Sequence, residues 1–115
     1  MPRLTIAATR HLAESTMLAV GHTADEAALI ADHLIDCELR GLSYGGIPRA
    51  LGIAERVSKP TYRRQPILVE DKTPVSALVH GGNTVGYLVG HRAMEAAIQR
   101  AKVHGVAVVG ANDTW

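Results

Sequence analysis

The stretch SALVHGGNTVGYLVGHRAMEAAIQRAKVHGVAVVGA, residues 76–111, decides the fold. It opens on Ser76-Ala77-Leu78-Val79, a short apolar run that reads as a strand, and turns at His80-Gly81-Gly82-Asn83. A long helix is expected from Val85 to His104, carrying Gly90, Ala93, Ala97 and Ala101 as a stripe of small residues that permits close packing. Gly105 terminates it. Val106-Ala107-Val108-Val109-Gly110-Ala111 is then a continuous apolar run of the kind found in a strand buried on both faces. Strand, helix and strand in this order imply a parallel crossover.

Upstream, Ile67-Leu68-Val69 reads as another short strand, joined to the one at Ser76 by Asp71-Lys72-Thr73-Pro74 and pairing with it as a hairpin or neighbour. The first half of the chain is helical. Thr9 to Val20 forms one helix with apolar positions at Leu12, Met17 and Leu18, and Gly21 ends it. Thr23 and Glu26 have the capping-box spacing, in which the hydroxyl accepts the third amide while the carboxylate reaches back. The helix they start has a stripe of Ala27, Ile30, Ala31, Leu34 and Cys37 or Glu38, and stops at Gly41. A third helix is expected to align Ile47, Ala50, Leu51, Ala54 and Val57 on one face and Arg49, Ile53 and Arg56 on a water-facing one, with Pro60 closing it. The fold class is therefore α/β: an amino-terminal helical segment over residues 1–60, then the start of an α/β core over 61–115, a small sheet with a strand-helix-strand crossover.

The chain has 115 residues, 47% of them hydrophobic, and a formal net charge of +1, which fits one small globular domain. Phe is absent, Trp occurs once and Tyr three times, so the core is built from Ala, Val, Ile and Leu. At about 25 cal/mol per Å² of buried apolar surface such a core is marginal for this length. That favours a remainder beyond Trp115, an oligomer, or both. Lys and Arg are spread out, densest at Arg63-Arg64, and give no footprint for nucleic acid. The lone Cys37 excludes an internal disulfide or a Cys-based zinc cluster. No apolar run marks a signal peptide or a membrane span, so a cytoplasmic location is expected.

Few residues invite chemistry. His11, His22, His33, His80, His91 and His104 include no pair at i, i+4, so no metal site is expected. Gly81, Gly82, Gly86 and Gly90 depart from G-x-G-x-x-G and read as turn glycines. Asp32 and Asp36 read as surface charges on one helix face. His80 stands out because it ends a strand before a glycine turn. Asp113, with Asn112, Thr114 and Trp115, follows the last strand, where α/β folds present functional groups to a crevice.

Taken in order, Ala31-Asp32-His33-Leu34, Arg40-Gly41, Gly46-Ile47-Pro48-Arg49, His80-Gly81-Gly82-Asn83 with Gly86, Gly90-His91-Arg92-Ala93-Met94, Ala97-Ile98, Ala101-Lys102 and Gly105-Val106 resemble the first part of the malate/L-lactate dehydrogenase family of NAD(P)-dependent oxidoreductases. That family includes ureidoglycolate and sulfolactate dehydrogenases and cyclic-imine reductases. The resemblance implies a larger α/β fold distinct from the Rossmann sheet, a dimer, and NAD or NADP held largely by segments beyond Trp115, so that this chain looks truncated and inactive by itself. It also implies a 2-oxo or 2-hydroxy acid as substrate.

The family's R-G-H-D-S-H-G-V-x-R loop falls without a gap on residues 40–49. Arg49 keeps the arginine that in the family lies near the substrate carboxylate, and a guanidinium suits that task because it offers two parallel hydrogen bonds. Tyr44 holds the serine position, where it would shape the pocket, and Gly45 holds the histidine position. The second motif, N-S-x-H, falls on Asn112-Asp113-Thr114-Trp115, so Trp115 occupies the position of the acid-base histidine. Indole cannot titrate near neutrality, which leaves Tyr44 and Asp113 as candidate proton donors. The alternative is a non-catalytic scaffold or dimerisation domain derived from the family, with the stripe of Gly90, Ala93, Ala97 and Ala101 as its interface.

Overall fold

The computed structural model describes residues 2–115. The chain divides into two compact units at the Tyr62/Arg63 junction.

The first unit is helical. α1 (Ile6–Ala19) begins three residues earlier than the apolar pattern indicates, because the Thr5 hydroxyl accepts a hydrogen bond from the Ala8 amide at 3.0 Å and so caps it. Its buried ridge is Ala13 and Met17, whereas Leu12 and Leu18 are half exposed at 51% and 49%. The expected apolar positions were thus one step off the true contact line for two of three residues. α2 (Ala24–Leu39) carries the capping box intact: Thr23 accepts from the Glu26 amide and Glu26 accepts from the Thr23 amide. Its buried face comprises Ala27, Ile30, Ala31, Leu34, Ile35 and Cys37, which leaves Glu38 outside it. Arg10 on α1 reaches Asp32 on α2 at 2.5 Å, and Asp36 pairs with Arg40 at 2.7 Å, so both carboxylates serve surface ion pairs.

Both helices end in the same device. Gly21 (φ 98°) and Gly41 (φ 78°) take the left-handed conformation, and the next residue's amide folds back onto a carbonyl inside the helix, His22 to Met17 and Leu42 to Cys37. After a 3-10 turn at Ser43–Gly45, α3 (Pro48–Val57) buries Ala50 and Ile53. Here the expected phase is wrong. Leu51 is 65% exposed while Ile53 is 1% exposed, so Ile53 does not lie on a solvated face with Arg49 and Arg56.

The second unit is a three-stranded sheet in the order β1-β2-β3 with one helix. β1 (Leu68–Thr73) pairs antiparallel with β2 (Ser76–Thr84), and Asp71, Lys72 and Thr73 belong to the strand rather than to the connecting turn, which is only Pro74 and Val75. A register shift between Asp71 and Thr73 lets the pairing continue to that point. α4 (Gly86–His104) then crosses over to β3 (Val108–Thr114), which is parallel to β2. Gly105 closes α4 at φ 83°, donating its amide to Ala101 O.

Three expectations about this unit fail. β2 does not stop at Val79 but continues through His80-Gly81-Gly82-Asn83, so these glycines lie in a strand. β3 lies at the edge of the sheet, with Val108 70% exposed, because among the described residues β2 alone pairs with it. The buried face of α4 is Leu88, Val89 and Ala96, so the stripe of Gly90, Ala93, Ala97 and Ala101 straddles its margin, with Gly90 exposed.

Candidate functional site

The loop between α2 and α3 is held at both ends by backbone. Gly45 and Gly46 donate to Leu42 O and Ser43 O, at 2.9 and 3.2 Å, and Arg49 and Ala50 donate to Gly46 O and Ile47 O at 2.9 Å. Tyr44 projects from the 3-10 turn and is 82% exposed. Arg49 sits in the first turn of α3, exposed, and its guanidinium makes no hydrogen bond or ion pair with another described residue. A cation held in this way, on a fixed backbone with its donors uncommitted, can bind a carboxylate. Gly45 lacks an imidazole for no steric reason, since a Cβ there meets only Cys37 Sγ, at 3.6 Å. The Cys37 thiol is buried and lies 3.6 Å from His33 Nε2.

Glu38 has a part in this loop that sequence reasoning missed. From the last turn of α2 its Oε1 accepts a hydrogen bond from the Ile47 amide at 2.9 Å, across the face of Gly46. The available signal was an acid near a helix carboxyl end, where the dipole disfavours it, shortly before a glycine pair.

In the second unit the residues of interest gather where β2 and β3 end. His80 stands opposite Asn112 and Thr84 opposite Thr114. A Cβ on Gly81 would lie 2.6 Å from Asp113 O and 2.9 Å from Asn112 O, so the strand exits approach more closely than any side chain permits. Gly82 (φ 62°) and Asn83 (φ 59°) then bend β2 toward the segment before β1: the Gln65 amide donates to Gly82 O at 2.8 Å, and Asn83 Nδ2 donates to Arg63 O at 2.8 Å. These glycines serve backbone contact. The Gly86 amide at the head of α4 is taken by Trp115 O at 2.7 Å. That amide is therefore not available to a phosphate, and Gly81, Gly82 and Gly86 are used for backbone contact.

Trp115 is fastened at three points. Its Nε1 donates to Asn83 O at 2.9 Å, its amide donates to Thr84 O at 3.4 Å, and its carbonyl receives Gly86 N. Thr114 Oγ1 adds a bond to Thr84 O at 2.8 Å, while the hydroxyl of Thr84, itself 1% exposed, has no hydrogen-bond partner among the described residues. Asp113 takes a positive φ of 49° and is exposed, and its carboxylate makes no hydrogen bond with another described residue. His80 is paired with Glu70 at 2.7 Å, and Glu70 also meets Lys72 at 2.5 Å. Hydrogen bonds from Lys72 first and His80 second hold the Glu70 carboxyl below its ordinary range.

The candidates thus fall in two groups, Tyr44 and Arg49 in the first unit, Asp113 and Trp115 in the second. Among the described residues no three His, Cys, Asp or Glu side chains gather as metal ligands, and no helix is long and apolar enough to cross a membrane.

A helical segment followed in the chain by an α/β crossover gives the fold class. The chain belongs to the malate/L-lactate dehydrogenase family, whose model matches residues 4–115. It is similar to ureidoglycolate dehydrogenase (NAD(+)) of Escherichia coli (strain K12), 36% identical over 100 residues that make up 86% of this chain and 29% of that protein. It is also similar to L-sulfolactate dehydrogenase of Methanothermobacter thermautotrophicus, 36% identical over 87 residues, 75% of this chain and 26% of that one. Among solved structures, malate dehydrogenase from Pyrococcus horikoshii OT3 superposes with a TM-score of 0.91 at 26% identity, over 98% of this chain and 33% of that chain. Sulfolactate dehydrogenase from Methanocaldococcus jannaschii superposes at 0.87 and 27% identity, over 96% of this chain and 33% of that one. The chain spans about a third of the length of the relatives it matches.

Proposed function

We propose that the protein carrying this chain is an NAD(P)-dependent oxidoreductase that interconverts a 2-oxo acid and a 2-hydroxy acid, with Arg49 binding the substrate carboxylate and Tyr44 shaping the pocket beside it. The observation that carries the reading is Arg49 itself: an arginine at the start of α3 on a fixed backbone, with its guanidinium engaged by no described residue, where the family resemblance implies a carboxylate-binding one. The match over residues 4–115 and the dehydrogenase relatives support the reaction class.

Gly81, Gly82 and Gly86 are used for backbone contact, so in this reading the cofactor, NAD or NADP, is held largely by the part of the fold that the relatives have beyond the matched third. Reduction of a 2-oxo acid leaves an alkoxide that must gain a proton. The Trp115 indole N–H is committed to Asn83 O and does not titrate, which turns attention to Tyr44 and Asp113 as donors. The wider reading is of a homodimer in the cytoplasm, organised as a helical segment over residues 1–60 and the start of an α/β core over 61–115.

The test is oxidation of NADH and NADPH by the whole protein with pyruvate, oxaloacetate and longer 2-oxo acids. Turnover with at least one is expected. Normal cofactor binding with no turnover across the panel would contradict the proposal and favour a non-catalytic scaffold.

A further inference from the structure

We infer that Glu38 is a positioning residue, whose carboxylate fixes the start of α3 and thereby presents Arg49. The proposal rests on the dehydrogenase reading for its functional half and on geometry alone for its structural half.

Ile47, the N-cap residue just ahead of α3, has an apolar side chain and gives the helix no side-chain cap. Its amide is satisfied from elsewhere, by Glu38 Oε1 at 2.9 Å from nine residues upstream. In an ordinary capping box the glutamate that binds this amide lies in the first turn of the same helix. Here α2 supplies it. The negative charge thus sits at the amino end of α3, where the helix dipole favours it, although it is anchored near the carboxyl end of α2, where the dipole does not.

Gly46 makes the contact possible. A Cβ on Gly46 would lie 2.5 Å from Glu38 Cδ and 2.7 Å from Cγ, closer than real carbon contacts come, so any side chain at position 46 displaces the carboxylate. Gly46 O in turn accepts the Arg49 amide at 2.9 Å. Glu38, Gly46, Ile47 and Arg49 are therefore one connected unit that closes the loop across the exposed Tyr44.

The two residues must depend on each other. Glu38→Ala removes the acceptor. Gly46→Ala pushes it away. Once the carboxylate is gone, the extra methyl has nothing to displace. Glu38→Gln keeps an oxygen able to accept from Ile47 and should rescue most of the effect. Loss of a hydrogen bond to a charged acceptor corresponds to roughly 10-fold or more in the opening equilibrium of the bonded amide.

Amide hydrogen exchange and steady-state kinetics on the whole protein test this together. Exchange at Ile47 and Arg49 should accelerate roughly 10-fold in Glu38→Ala and Gly46→Ala, by less than about 3-fold in Glu38→Gln, and no further in the double variant than in Glu38→Ala. KM for the 2-oxo acid of that panel that is turned over fastest should rise in parallel, with kcat changed less. Exchange at Ile47 within about 2-fold of the parent in Glu38→Ala, or fully additive effects in the double variant, would overturn the anchoring. Accelerated exchange with an unchanged KM would overturn the presentation of Arg49. A parent protein with no turnover counts against the dehydrogenase reading alone, because the exchange pattern still decides the anchor.

Discussion

Alanine at Gly81 should destabilise the protein, whereas the same change at Gly90 should stabilise it. At Gly81 the new methyl would meet Asp113 O at 2.6 Å, Asn112 O at 2.9 Å and Val89 Cγ2 at 3.0 Å. Two of these three atoms are backbone of the neighbouring parallel strand and cannot swing aside. Relief requires the end of β3 to retreat from β2, which strains the bonds from Thr114 Oγ1 to Thr84 O and from Trp115 Nε1 to Asn83 O, at 2.8 and 2.9 Å. Forcing a methyl into filled space costs about 1–3 kcal/mol. A weakened hydrogen bond adds about 1 kcal/mol, so the total is about 2–4 kcal/mol. Gly90 lies inside α4 with nothing within 4 Å of its Cβ position, and there alanine should gain up to about 1 kcal/mol from helix propensity. At about 4 °C or more per kcal/mol for a small domain, Gly81→Ala should lower Tm by about 10 °C and Gly90→Ala should raise it by a few degrees. Thermal and urea unfolding followed by circular dichroism measure both. A Gly81→Ala protein as stable as its parent would refute the close approach of β2 and β3.

Other perturbations probe the rest. Thr23→Ala removes a hydroxyl that accepts from Glu26 N at 3.2 Å and should cost about 1 kcal/mol in urea denaturation. Leu34→Ala empties a fully buried site on α2 and should cost about 2–5 kcal/mol by the same assay. The Glu70 carboxyl is held below its ordinary value of 4.5, so its contribution to stability is present above that pH and is lost as the pH falls through the lowered value. Glu70→Gln should therefore flatten the acid limb of a Tm against pH profile by slightly lowering its neutral region while leaving the most acidic points unchanged, and the effect is small because the group is exposed.

The sequence was legible where one local interaction decides the outcome. The Thr23-Glu26 spacing located the start of α2, Gly105 located the end of α4, and the crossover followed from strand, helix and strand. It was less legible where two solutions compete locally. Leu51 and Ile53 each complete an apolar stripe with Ala50, and only the packing of α3 shows that Ile53 is the buried one. Gly81 and Gly82 carry turn composition, yet their demand comes from Asp113 and Gln65, residues distant in the chain, and no local pattern reveals it. The apolar composition of β3 speaks for burial on both faces, but Val108 is 70% exposed because composition registers what a strand could pack against rather than what lies beside it. Of the candidate site, Arg49, Tyr44 and Trp115 come from the family pattern and Asp113 from its place after the last strand. Glu38 was not, since its partner amide carries no side-chain signature.

The central claim is that Arg49 binds the substrate carboxylate, and the most direct measurement compares kcat/KM of the parent and of Arg49→Ala for the 2-oxo acid that the parent turns over fastest. Loss of a bidentate, charge-assisted pair predicts a fall of about 10- to 100-fold, carried mainly by KM, with Arg49→Lys intermediate. An Arg49→Ala protein that matches its parent in kcat/KM would contradict the account.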